Sequence, residues 1–109
     1  MTARLTAEFW VAAYRRRLEL FNIPVFVVAR GDATAGAILI KLSTLDGQAT
    51  LYQRSFNADG QRLWMDIQSG TENELDAYIS KQRDFDPDLW VLEIEDRAGR
   101  HMLDEEGLE

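Results

Sequence analysis

The chain has 109 residues, 46% hydrophobic and 28% charged, the profile of one soluble globular domain with a single modest core. It contains no cysteine, which excludes disulfides, thiolate zinc sites and a thiol nucleophile and suits a reducing interior. A net charge of -7 at pH 7 disfavours non-specific binding to nucleic acid or anionic membrane; with no apolar leader in "MTARLTAEFW" and no membrane-length apolar stretch, a cytoplasmic protein is expected.

In residues 6–21, Phe9, Trp10, Ala13, Tyr14, Leu18 and Phe21 recur three and four apart, which predicts an amphipathic helix capped by Thr6 and stopped by "NIP". Arg17 falls on its apolar side, either snorkelling over Trp10 or Phe21 or paired with a carboxylate. Arg15 to Arg17 spread over about 200° of helix and form no basic stripe. Four strands are predicted next, at residues 25–30, 37–43, 50–56 and 62–67. "TLDGQ" and "NADGQ" between the last three are hairpin turns with Asp-Gly supplying the left-handed position. "RGDATAG" spaces its glycines like a phosphate loop but runs on into "AILI", a strand and not a helix, so it reads as a longer hairpin loop.

"GTENELDAYISKQR" predicts a second helix, with Thr71 and Glu74 at capping-box spacing and Leu75, Tyr78 and Ile79 on its apolar face. Asp86 and Pro87 end it, residues 89–95 form a strand, "DRAGR" turns at Gly99, and residues 101–103 form a short edge strand. The acidic residues 104–109 read as a solvated, frayed tail. The expected fold is α+β: one domain over residues 1–109, order α-β-β-β-β-α-β-β, an antiparallel meander packed by two helices.

Asp84, Asp86, Asp88 and Glu95 occupy positions 1, 3, 5 and 12 of a calcium-loop template. Leu89 stands where that template needs glycine, and "LWVLEI" has a strand's composition; extended, it sets Glu95 roughly 20 Å from Asp88. Asp86 and Asp88 instead suit a turn around Pro87, while Glu93 and Glu95 share a strand face opposite Trp90, Leu92 and Ile94. Arg17, Asp86, Asp88, Glu93 and Glu95 are the candidate polar cluster, structural or functional. His101 is the only histidine, with no evident triad partner. No catalytic residue, metal ligand, cofactor or small-molecule substrate is assigned.

The stretches "RLTAEFWVAAYRRR", "AGAILIKL" and above all "FDPDLWVLEIEDR" resemble a family of small bacterial proteins, domain of unknown function family 1491. The resemblance spans most of the chain, is looser between Leu51 and Gly70, and implies no activity, cofactor or catalytic residues.

Strand alternation sorts the meander into two faces. Leu39, Leu51, Leu63, Met65 and Ile67 form an aliphatic one suited to packing under the helices. The other mixes Ile38, Ile40 and Leu42 with Tyr52, Arg54, Phe56, Arg62, Trp64 and Asp66. Exposing its three aromatics forgoes roughly 1.5 to 3 kcal/mol each, so cover is expected from the second helix, the C-terminal hairpin or another molecule. Tyr52, Arg54, Phe56, Arg62 and Trp64 are therefore the candidate interaction face. The first reading is a non-enzymatic protein-interaction module, with a homodimer as one form. The second is a single-stranded nucleic-acid binder that stacks bases on Tyr52, Phe56 and Trp64 and contacts phosphates through Arg54 and Arg62. The third is a metal-dependent or acid–base enzyme using the carboxylates of residues 84–96; no membrane partner is expected.

Overall fold

The computed structural model describes residues 5–104, so the predicted frayed tail lies, beyond Asp104, outside the described residues. Helix α1 (Ala7–Leu20) starts at Thr6, whose hydroxyl accepts from the Phe9 N–H at 3.2 Å. The next amides are also satisfied, Ala7 and Glu8 donating to the carbonyls of Thr34 and Ala33 at 3.0 and 2.9 Å. At the other end Asn22 adopts a φ of 58°, its N–H reaching Glu19 O and the Ile23 N–H reaching Leu18 O, and the buried pair Leu18 and Ile23 closes the stop. The buried stripe is Ala7, Trp10, Val11, Tyr14 and Leu18. Phe9 and Phe21 are exposed, contrary to expectation: the helix faces the sheet through the smaller Ala7 and Val11, and Phe21 lies in the cap, beyond the last helical turn.

The strands are β1 (Val25–Ala29), β2 (Ile38–Ser43), β3 (Gln48–Phe56), β4 (Arg62–Thr71) and β5 (Trp90–Glu95), with α2 (Glu72–Phe85) between the last two. Both Asp-Gly hairpins form, with Gly47 and Gly60 at φ of 86° and 79°, so β2, β3 and β4 are the predicted antiparallel run. The rest of the topology departs from a meander. The five-stranded sheet has the order β1-β5-β2-β3-β4, with β5 antiparallel to β1 and parallel to β2. The sheet is therefore mixed, α2 supplying the crossover that a parallel partner for β2 requires. The physical cause lies in β5 itself, whose side chains are buried on both faces in the manner of a central strand.

Two further expectations fall with the meander. Residues 101–103 form no edge strand, because β5 already has a partner on each side; after Gly99 the chain leaves the sheet and buries Leu103 in the α1-side core. "RGDATAG" is not a hairpin loop, since β5 separates β1 from β2. It crosses the start of β5, where the Asp32 N–H donates to Asp88 O at 2.9 Å and the Trp90 indole N–H to Asp32 O at 2.8 Å. Gly31 is required there, for an added Cβ would lie 2.0 Å from Asp88 O.

One core lies between α1 and the sheet, joining Trp10, Tyr14 and Leu18 to Ile40, Trp90, Leu92 and Ile94. The other lies under α2, joining Leu75 and Ile79 to Leu39, Leu51 and Val91. Among the described residues no helix is long and apolar enough to cross a membrane.

Candidate functional site

The register bears out the two predicted faces of the β2–β3–β4 run except at a shift in β4, where Asp66 pairs with Tyr52 and Gln68 with Leu51 so that Ile67 falls outside the regular pairing, and their cover differs from that expected. Tyr52 pairs with Asp66, Arg54 with Trp64 and Phe56 with Arg62, so the mixed face is one surface. It is covered in part by α1 of the same chain, through Trp10, and in part by the C-terminal segment, which lays His101 against Tyr52, whereas α2 packs on the other face and Phe56 is exposed. The Trp10 and Trp64 rings lie 5.0 Å apart, and the Arg54 guanidinium sits 5.2 Å from the first and 5.1 Å from the second. Such contacts place a cation over the electron-rich ring faces. Tyr52 turns elsewhere, its ring 4.7 Å from that of His101, whose carbonyl accepts the Tyr14 hydroxyl at 2.6 Å. Burial pushes the Tyr14 phenol well above its usual range, with the nearby Tyr52 adding to the effect.

Arg54, Phe56, Arg62 and Trp64 line a pocket of about 480 Å³ with Trp10 and the segment 34–37. Four of the five residues of the candidate interaction face thus meet in one concavity, and Tyr52 does not line it. Among the described residues, the pocket walls hold two arginines and no carboxylate.

The aliphatic face is covered only in part. Leu39 and Leu51 lie buried beneath α2, whereas Leu63, Met65 and Ile67 are 42%, 45% and 39% exposed along β4, an edge strand. At the opposite edge, Phe26 and Val28 are also exposed, but β1 has five residues and is bulged between Val27 and Ala29.

Sequence reasoning missed Lys41. It lies 3% exposed on β2, with its ammonium 2.8 Å from Asp76, 2.9 Å from Glu93 and 3.2 Å from Glu72. Burial alone would lower its pKa; hydrogen bonds to Asp76, Glu93 and Glu72 overcome that and hold it above the usual lysine value. The available signal was a lone cation inside "ILIKLS", a strand buried on both faces, together with acids four apart at the start of the second helix.

The candidate polar cluster does not converge. Glu93 belongs to Lys41, and Arg17 is half-buried on α1, across the sheet. The Asp86 carboxylate accepts the Asp88 N–H at 3.1 Å in the turn around Pro87. Glu95 ends β5, and because Trp90–Glu95 is extended the calcium template cannot close. Among the described residues, no three acidic, histidine or cysteine side chains gather as a metal-ligand set.

A family profile described as a protein of unknown function (DUF1491) matches residues 5–104. The chain belongs to the DUF1491 family. A crystal structure of a DUF1491 family protein from Caulobacter crescentus CB15 superposes with a TM-score of 0.85 at 45% identity, over 94% of this chain and 97% of that one. An NMR structure of a DUF1491 family protein from the same organism gives 0.81 at 44% identity, over 95% and 96%. A solution structure of a protein from A. tumefaciens gives 0.72 at 29% identity, over 85% and 86%. The mixed-sheet fold of this DUF1491 chain thus has solved counterparts, and no curated protein matches it.

Proposed function

We propose that this DUF1491 protein is a non-enzymatic protein-interaction module that pairs with a second copy of itself through β4. The observation that carries the reading is the stripe of Leu63, Met65 and Ile67, left open on an edge strand of ten residues. A long apolar edge with unpaired backbone groups is a template for strand addition, and soluble proteins normally blunt such edges. The other edge has five residues against ten, which makes it the poorer template.

Self-complementarity favours a second copy as the occupant. Antiparallel pairing of two β4 strands about a twofold axis at Trp64 sets Leu63 opposite Met65 of the other copy. The same register sets Arg62 opposite Asp66, so apolar meets apolar on one face and opposite charges meet on the other. The aromatic row that a single-strand binder needs is not assembled, Tyr52 lying against His101 and Trp64 against Trp10. Several of the late carboxylates already serve structural partners, Asp86 its turn, Glu93 Lys41 and Asp96 Arg100.

Sedimentation velocity across a wide concentration range tests the reading. The wild-type protein is expected to form a reversible dimer, and Met65→Lys is expected to sediment as a folded monomer. A wild-type protein that stays monomeric at every concentration overturns the proposal.

A further inference from the structure

We infer that the pocket between the N-terminal turn of α1 and the β3–β4 hairpin is a binding site for a small organic carboxylate with a planar apolar body. Arg54 is the central residue of the site. Its guanidinium lies beside the Trp10–Trp64 pair, 5.2 and 5.1 Å from the two rings, and its Nε is shut off from solvent without a hydrogen-bond partner. A desolvated donor with no acceptor is costly, and an anion at this position would supply the acceptor at charge-assisted strength. The fixed planar fork of arginine suits a carboxylate better than a point charge does.

The surroundings favour the same ligand. In a chain of net charge -7, a concavity whose described walls hold Arg54 and Arg62 and no carboxylate is a local reversal of sign. The α1 amides take no part, because Ala7, Glu8 and Phe9 already donate to Thr34, Ala33 and Thr6. Recognition of charge therefore rests on guanidinium groups. Trp10, Phe56, Trp64 and Ile38 supply the apolar and aromatic surface for a planar body, and about 480 Å³ is within the usual range for small-molecule sites. The pocket's described walls all come from one copy, and Arg54, its central residue, takes no part in the proposed β4 pairing.

The test is an NMR titration of the full chain with naphthoate, following the Arg54 Nε–H and the indole N–H signals of Trp10 and Trp64. Naphthamide serves as the uncharged analogue and inorganic phosphate as the bare anion. Naphthoate is expected to saturate and to shift all three signals. Naphthamide, phosphate and the Arg54→Met variant are each expected to bind at least about tenfold more weakly, the order set by losing a charge-assisted hydrogen bond or the apolar contact. Arg54→Lys, which keeps the charge and loses the fork, is expected to fall between. The Met65→Lys variant is expected to bind as the wild type does, which separates this site from the β4 interface. Equal binding of naphthamide, equal binding of phosphate, undiminished binding by Arg54→Met, or no saturable shift with naphthoate would each overturn the inference.

Discussion

Replacing Lys41 with methionine keeps most of the side-chain volume and removes the ammonium that three carboxylates share at 2.8, 2.9 and 3.2 Å. Breaking a buried ion pair costs about 3–5 kcal/mol, because the abandoned partner stays desolvated. Here Asp76 is 59% exposed and returns readily to water, Glu72 is 37% exposed, and only Glu93, at 27%, stays largely enclosed. The expected loss is therefore at the lower end, about 3 kcal/mol. For a domain of this size that lowers the melting temperature by roughly 15 °C. Adding Glu93→Gln to Lys41→Met should recover about 1–2 kcal/mol by neutralising the most enclosed of the stranded charges. Urea denaturation of the wild type, the single variant and the double variant measures both quantities. A loss below about 1 kcal/mol, the range of a surface pair, would refute the view of Lys41 as an enclosed electrostatic tie between the sheet and α2.

Three other consequences are open to measurement. Lys41 and the Tyr14 phenol both hold their protons more tightly in the folded chain than ordinary groups do. Their stabilisation is thus complete below about pH 10 and is lost as pH rises through the raised folded values, so denaturation midpoints should fall on the alkaline side. Tyr14→Phe should cost about 1 kcal/mol at neutral pH through the hydrogen bond to His101 O, and should make the alkaline fall shallower. Gly31→Ala drives a methyl to 2.0 Å from Asp88 O and 2.6 Å from Trp90 Cδ1, and should cost about 3 kcal/mol or more. Gly60→Ala, left-handed but facing open space, should cost only about 1 kcal/mol, and calorimetry of the two variants checks the contrast.

The local features were readable because they are written within a few residues of one another. Thr6 and Thr71 accept the cap hydrogen bonds their spacing implies, and Gly47 and Gly60 take the left-handed positions. The alternation that sorted Leu39 from Tyr52 and Trp64 matches the observed register. What could not be read locally was the pairing of β5 with β2, segments separated by about fifty residues of chain. That one unread pairing accounts for several departures: the edge strand at residues 101–103, the hairpin at "RGDATAG" and the silence about Lys41, whose partner Glu93 arrives only with β5. Near-continuous burial of "LWVLEI" was the clue to a central strand, and the acidic residues around it drew the eye to surface chemistry instead. The mixed face invited an external partner because the packing of Trp10 over Arg54 and Trp64 depends on where α1 lies, which helical periodicity alone does not specify.

The pairing of two β4 strands is tested most directly by exchanging its charges. Arg62→Asp alone sets acid against acid across the twofold axis, and Asp66→Arg alone sets base against base, so each variant should sediment as a monomer. In an equimolar mixture every such pair is again opposite in sign, and a heterodimer should appear. Two variants that each dimerise like the wild type, or a mixture that stays monomeric while the wild type dimerises, would contradict the proposed interface.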